Sequence, residues 1–277
     1  MKLTKIGIFD SGIGGFSLLT ELSKRLPDAE FVYYADSKNA PYGEKSEDEI
    51  LRLTENAFRF LKERGAMATV LACNTATAVA AKTLRQNNPD ELIFGMEPAV
   101  NEALKRIPDG KILATATPVT LKGKKFHDLL DRTGAEERTV SLPLPELVRF
   151  AERELFLNKR SGCPEAETYI REMIAATGED KRDFSALVLG CTHFIYFTDA
   201  FRRVIDCPIF NGISGTAAHL INSLGCVASN ATDTDGIKPT ISAESVMKRT
   251  EFYVSGEKAD QNALASIENC IRLLCEM

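Results

Sequence analysis

Residues 5–26 read KIGIFDSGIGGFSLLTELSKRL. An apolar run over 5–9 ends in the polar pair Asp10-Ser11, a glycine-rich turn follows, and apolar residues then recur at helical spacing over 15–26. A strand that feeds an amphipathic helix through a tight turn is the opening of a βαβ unit. The same punctuation continues outward from it. Strands are predicted at 31–35, 68–72, 92–95, 111–115, 138–142, 186–190 and 207–210, and helices at 46–64, 75–87, 98–106, 118–132, 145–157, 164–177, 195–205, 214–226 and 259–274. Short strands alternating with helices of this length build parallel sheets, so the fold class is α/β. Ser46 and Glu49 suit a capping box, which makes the charge run 44–49 a solvated helix start. Thr117-Pro118 suits an N-cap followed by proline in the first turn.

The 277 residues include 34 basic and 39 acidic side chains, a formal charge of −5, with 44% hydrophobic and 26% charged residues. That much apolar surface excludes a disordered chain, and at roughly 100–200 residues per domain the length favours two domains. The acidic balance argues against broad nucleic-acid or anionic-membrane binding, both of which need a positive field. It leaves room for a small anionic substrate in a locally positive pocket. No apolar run approaches the roughly 18 residues of a membrane helix. Met1 to Ile6 lead into a strand with no apolar signal region, so no signal peptide is expected. The seven cysteines are odd in number and show no Cys-x-x-Cys pair, so they read as free thiols of a reducing cytoplasm.

Two segments share a plan. Thr69-Val-Leu-Ala-Cys73-Asn74-Thr75 and Leu187-Val-Leu-Gly-Cys191-Thr192-His193 each run from an apolar strand through a small residue to a cysteine and two polar residues that open a helix. They lie too far apart for solenoid repeats and suit two similar α/β domains. Residues 1–97 plus 212–277 are expected to form the first, carrying Cys73, and 98–211 the second, carrying Cys191.

Ligands of open parallel sheets bind beyond the carboxyl ends of the strands. Four segments put polar or glycine-rich residues there: Asp10-Ser11-Gly12-Ile13-Gly14-Gly15, Ala40-Pro41-Tyr42-Gly43, Cys73-Asn74-Thr75 and Cys191-Thr192-His193. The first imitates a dinucleotide fingerprint, with Asp36 as the ribose acid, yet Ser17 stands where the third glycine belongs. What remains is a turn into a helix N-terminus suited to a carboxylate or phosphate, or a simple tight turn. Tyr42 sits in an ordered turn that either presents amides to a ligand or is merely a surface β-turn. The cysteines carry the most chemistry. A thiol between a strand and a helix meets amides that favour thiolate. One such cysteine alone is more often a small buried hydrophobe; two in matched settings suggest a pair. Inversion at a carbon centre needs a base on one face and an acid on the other, with the roles reversible, and two facing thiols meet that symmetry. A modest shift from the ordinary thiol value of about 8.5 would supply both forms. His193 is placed to assist Cys191, and Asp10 to orient an ammonium or assist the other thiol. His127 and His219 fall in helix patterns as surface or packing residues, and Cys163, Cys207, Cys226, Cys270 and Cys275 read as packing or surface thiols. Three histidines without a His-x-x-x-His pair make a metal site unexpected.

With DSGIGG, Ala35-Asp36, Pro41-Tyr42-Gly43, Ala72-Cys73-Asn74-Thr75-Ala76 and Leu189-Gly190-Cys191-Thr192-His193 in this order, the chain resembles the glutamate racemases of the cofactor-independent aspartate/glutamate racemase superfamily. The resemblance covers most of the chain and is strongest over 6–80 and 186–194. It implies two flavodoxin-like domains facing each other across a substrate cleft, no cofactor, a homodimer, and a supply of D-glutamate for peptidoglycan. It implies further that Cys73 abstracts from D-glutamate and Cys191 from L-glutamate. Asp10, Ser11, Tyr42, Gly43, Asn74, Thr75 and Thr192 should hold the substrate, and His193 should assist Cys191. Two departures stand out. The family usually continues Cys-Thr-His with Tyr-Pro, where this chain has Phe194-Ile195. The family's Cys-Pro strand end and Val-Glu-Glu-Gly stretch are replaced by residues 141–152, in which Glu146 or Glu152 is left as the glutamate near the second thiol. The rivals are a sister racemase for aspartate or hydantoins, disfavoured by DSGIGG and His193, an α/β ligand-binding module, and a redox thiol protein.

Overall fold

A computed structural model describes residues 5–155, 164–225 and 241–277. Its strands are β1 (Lys5–Asp10), β2 (Glu30–Ala35), β3 (Ala68–Leu71), β4 (Leu92–Gly95), β5 (Lys111–Ala116), β6 (Thr139–Pro143), β7 (Phe184–Leu189), β8 (Ile209–Asn211), β9 (Thr250–Val254) and β10 (Glu257–Lys258). They form two sheets. The first has the order β10-β9-β2-β1-β3-β4 and the second β6-β5-β7-β8. Every pairing is parallel except that of β10 with β9.

The strands β2-β1-β3-β4 of the first sheet and all four of the second follow one order, second-first-third-fourth, the flavodoxin-like arrangement whose crevice opens between its first and third strands. β1 beside β3 and β5 beside β7 are therefore equivalent pairs. The backbone continues the match: the Ala72 amide donates to the Phe9 carbonyl at 2.8 Å, and the Gly190 amide to the Thr115 carbonyl at 2.6 Å. Cys73 and Cys191 thus follow corresponding strands, the physical basis of the repeated segment in the sequence.

The inner strands β1, β3, β5 and β7 are buried on both faces because helices cover both sides of each sheet. The helices Glu47–Glu63 and Asn74–Asn87 close one face of the first sheet around Phe9, Val32 and Leu71. Lys124–Thr133 covers the outer face of the second around Ile112, Ala186 and Val188. A third apolar cluster draws on both lobes, from Ile8, Phe16 and Tyr33 to Leu187, Phe194 and Phe201. Arg249 ties the end of the chain to its start: its guanidinium donates to the carbonyls of Ser23, Leu26 and Pro27 behind the helix Phe16–Arg25.

The predicted elements between 5 and 106 appear within a few residues of their expected bounds; several later ones differ for identifiable reasons. Helix 118–132 is interrupted at Gly123, giving Pro118–Lys122 and Lys124–Thr133. Helix 145–157 is α-helical only over Pro145–Phe150 and continues as a π turn over Ala151–Leu155. Residues 192–197, after Cys191, form a 3-10 segment before the α-helix Thr198–Val204. The helix Ala243–Lys248 and strands β9 and β10 lie outside the predicted elements. At Ser46 only half of the capping box forms: its hydroxyl accepts from the Glu49 amide at 3.3 Å, while the Glu49 carboxylate takes Lys45 at 2.8 Å. His219 packs edge-on against Phe94, a packing role as expected. Cys73, Cys191, Cys207, Cys270 and Cys275 are free thiols, and Cys163 and Cys226 lie outside the described residues.

Candidate active site

The carboxyl ends of the two sheets face each other, and the expected site residues meet between them. Asp10, Ser11, Tyr42, Cys73, Asn74, Thr75, Cys191, Thr192 and His193 are all buried, from 0% to 7% exposed. β1 ends on Asp10, whose Oδ1 accepts from the Gly12 amide at 3.0 Å and whose Oδ2 accepts from the Thr192 hydroxyl at 3.1 Å. A carboxylate of the first lobe is thereby bonded to the residue that follows the thiol of the second.

Cys73 caps the helix Asn74–Asn87. Its sulfur accepts from the Ala76 amide at 3.5 Å and donates to the Ser11 hydroxyl at 3.7 Å. The expectation of a modestly shifted thiol fails here. Burial first, then the charge of Asp10, push Cys73 up to about 12, against the opposing pull of the Ala76 amide and Ser11. In the closed protein Cys73 is a thiol. Cys191 has a different setting, since no helix amide caps it. Its sulfur lies 3.7 Å from Nδ1 of His193, and Nε2 of His193 lies 2.6 Å from Oε1 of Glu152. Burial pulls His193 down, but the hydrogen bonds to Cys191 and Glu152 and their charges outweigh it, holding the imidazole well above its ordinary value. The two thiols are matched in topology and unlike in electrostatics.

The choice between Glu146 and Glu152 is now resolved. Glu146 binds Arg149 at 2.5 Å. Glu152 meets His193 and also accepts from the Ile13 amide at 3.0 Å. It reaches both because the π turn re-aims that stretch, a local irregularity common at functional sites. The turn after β1 is therefore no open anion cradle: the Gly12 amide goes to Asp10 and the Ile13 amide to Glu152. A Cβ on Gly12 would overlap the Glu152 carboxylate, so glycine here leaves that carboxylate room beside His193.

Tyr42 differs from its expected role in one respect. Its hydroxyl donates to Asp36 Oδ2 at 2.7 Å, and Asn39 binds the same carboxylate, so Asp36 is an internal anchor and the phenol is committed to it. The Tyr42 ring and the backbone at Gly43 remain beside the site. A Cβ on Gly43 would lie 2.7 Å from Cβ of Thr117, so glycine permits this close approach of the lobes. Two hydroxyls that the motifs did not mark also converge here. Thr75, Thr117 and Thr120 form a buried triangle with Oγ1 separations of 2.9, 3.2 and 3.0 Å. Thr117 was legible only as an N-cap, which it is, accepting from the Thr120 amide at 3.4 Å. Asn74 donates to the Met96 carbonyl at 3.5 Å, and its Oδ1 is buried without a partner. Among the described residues no group of three His, Cys, Asp or Glu side chains is placed to hold a metal ion, and no helix is long and apolar enough to cross a membrane.

Asp10 carries a measurable pH signature. Burial raises it from 3.8 to about 6 against the pull of His193, the Gly12 amide and Thr192. The folded protein thus favours the neutral acid, and this contribution to stability is full below the unfolded value and lost as pH rises through about 6. It amounts to about 3 kcal/mol. Relative to wild type, Asp10→Asn should gain stability by about that amount between about pH 4 and pH 8, read by urea denaturation. A pH-independent difference would mean that Asp10 does not titrate in this range.

Two facing α/β lobes thus each deliver a thiol from the same strand position into a shared buried interior, Cys73 beside Ser11 and Cys191 beside His193 and Glu152. The chain matches the Asp/Glu/hydantoin racemase family model over residues 17–220. It is 43% identical over 275 residues to the glutamate racemase of Campylobacter concisus, covering 98% of this chain and all of that one. The crystal structure of Escherichia coli glutamate racemase in complex with L-glutamate and the activator UDP-MurNAc-ala superposes with a TM-score of 0.74 at 26% identity, covering 93% of this chain and 100% of that one. Francisella tularensis glutamate racemase, solved in complex with D-glutamate, shares the fold with a TM-score of 0.75 at 20% identity, over 98% and 94% of the two chains. The chain belongs to the Asp/Glu/hydantoin racemase family and is an isomerase.

Proposed function

We propose that this protein interconverts L- and D-glutamate by proton transfer between two thiols and Cα, Cys191 taking the proton of the L enantiomer and Cys73 that of the D enantiomer. The observation that carries this reading is the pair of buried thiols at equivalent strand ends of facing lobes. The substrate rests on the curated relative that matches the whole chain. In the L-to-D direction, a Cys191 thiolate beside protonated His193 accepts the proton as the Cα–H bond breaks. The electron pair left on Cα spreads into the α-carboxylate. Cys73 Sγ–H then delivers a proton from the opposite face, and the two sulfurs have exchanged protonation states. Atoms and electrons balance without a redox partner.

Asp10 supplies the negative charge for the substrate ammonium. That cation offsets the charge of Asp10, which after burial is the second cause that raises Cys73, so substrate itself favours the Cys73 thiolate needed in the reverse direction. Ser11, Asn74, Thr75, Thr192 and the backbone at Gly43 hold the substrate, and the hydroxyls of Thr117 and Thr120 join Thr75 toward a carboxylate. Fixed dipoles of this kind stabilise charge that develops in the transition state. The same reading assigns 1–97 with 212–277 to one domain and 98–211 to the other. It needs no cofactor or metal, and on family precedent it expects a cytoplasmic homodimer whose D-glutamate serves peptidoglycan.

The test incubates the protein with L-glutamate in D₂O, following optical rotation and the Cα proton signal. Racemisation with deuterium incorporation at Cα and no added cofactor is the expected result. Decay of rotation with full retention of Cα–H would reject proton transfer between the thiols.

A further inference from the structure

The site is closed, with its thiols no more than 7% exposed, so glutamate enters and leaves only when the lobes part. The topology shows where they are held. Both crossovers between the lobes leave from the same side. One follows β4, an edge of the first sheet, and the other follows β8, an edge of the second. They touch each other: a Cβ on Gly212 would lie 2.5 Å from the Glu97 carbonyl oxygen and 2.9 Å from Met96 Cγ. This side is a covalent double hinge.

The opposite side is joined by an ion pair. Glu44 closes the turn that follows β2 and carries Tyr42 and Gly43. Arg149 lies on the helix Pro145–Phe150, directly after β6, the far edge strand of the second sheet. Nη2 of Arg149 binds Glu44 Oε1 at 2.7 Å, and its Nη1 binds Glu146 on its own helix at 2.5 Å. Both partners of this contact flank the site: Gly43, next to Glu44, abuts Thr117, and the Arg149 helix leads into Glu152. β1, β3, β5 and β7, with the thiols beyond the ends of β3 and β7, lie between the hinge and this contact.

We propose that Arg149 is a positioning residue, a clasp that bonds Glu44 when the lobes close and retains Glu146 as its partner when they open. The inference rests on the racemase reading above for its effect on turnover, but the clasp itself is a statement about lobe opening. Because Glu146 keeps the guanidinium paired in both states, opening exchanges one exposed ion pair for water. Such pairs are weak, and a weak clasp suits a site that must open at every turnover.

Alkylation of Cys73 and Cys191 by iodoacetamide in the substrate-free protein reads the opening, with each peptide quantified by mass spectrometry. Cys270, 2% exposed in the core, reports global unfolding in the same sample. Arg149→Ala and Glu44→Ala should each label both site thiols about 2–5 times faster, with Cys270 unchanged. About 0.5 M salt should reproduce the acceleration in wild type but add little in either variant. Glu146→Ala should not accelerate labelling, and the charge-reversed double variant Glu44→Arg/Arg149→Glu should restore the wild-type rate. In steady state, Arg149→Ala should raise KM for L-glutamate by a similar factor, with kcat held or increased. Unchanged labelling in Arg149→Ala, or acceleration that charge reversal fails to restore, would overturn the clasp. Absence of racemisation in wild type would overturn the glutamate reading and leave the labelling result to stand by itself.

Discussion

Cys73→Ser and Cys191→Ser should each lower kcat/KM for racemisation on the order of a thousandfold or more, and by the same factor in both directions. The size follows from the acid–base demand. A serine hydroxyl is far harder to ionise than a thiol, and the interior already disfavours charge at position 73, where burial pushes even the thiol up to about 12. The equality follows from thermodynamics. Enantiomers have equal free energy in water, so kcat/KM must match in the two directions for any variant, however lopsided the damage. The side of each lesion shows only in exchange. Cys73→Ser keeps the His193-assisted thiol and should still wash the Cα proton of L-glutamate into D₂O slowly, with little inversion. Cys191→Ser should do so only with D-glutamate. Chiral chromatography with proton NMR separates these outcomes, and a variant racemising at the wild-type rate would remove its sulfur from the reaction.

The thiols and the βαβ alternation were legible in the sequence because each is a local pattern. Ala-Thr-Val-Leu-Ala before Cys73 and Ala-Leu-Val-Leu-Gly before Cys191 are strands that end in a small residue where the backbone must pass a neighbour, and a single chain shows that without knowledge of its partners. What escaped depends on distance along the chain. The Tyr42 hydroxyl is taken by Asp36, a neighbour brought round by the turn, so its motif position overstated its freedom. The threonine triangle joins Thr75 to residues 42 and 45 positions away in the other lobe. β9, with the sequence Thr-Glu-Phe-Tyr-Val, has a buried Phe252 and Tyr253 but a polar start, and the helix that precedes it, Ala243–Lys248, is too short to show a helical period. Glu146 and Glu152 differ by six residues on a helical period, which sets them on different faces without revealing which face meets the site. The π turn then shifts the second of them. Sequence periodicity assumes a regular helix, and the site uses the place where the helix is irregular.

Glu152→Gln should lower kcat at about pH 8 by roughly a hundredfold or more, up to the roughly 10⁴-fold loss that follows when the carboxylate orienting a triad imidazole is neutralised. Gln keeps the shape and can still meet His193 or the Ile13 amide. What it removes is the negative charge that, with Cys191, lifts His193 above its ordinary value against burial. The sign is fixed: without that charge, burial prevails, His193 loses its proton at lower pH, and a neutral imidazole no longer balances a thiolate at Cys191. The variant should therefore recover activity as pH is lowered, and the alkaline limb of its kcat profile should move to lower pH than in wild type. Unmoved limbs would separate the charge of His193 from Glu152. Gly12→Ala provides an independent route to the same defect. It leaves Glu152 intact in sequence, but its methyl group occupies the space of the Glu152 carboxylate, so the carboxylate must leave His193. If the profile of Gly12→Ala shifts in the same direction as that of Glu152→Gln, the cause is the placement of one negative charge behind the second thiol, since the two variants share nothing else.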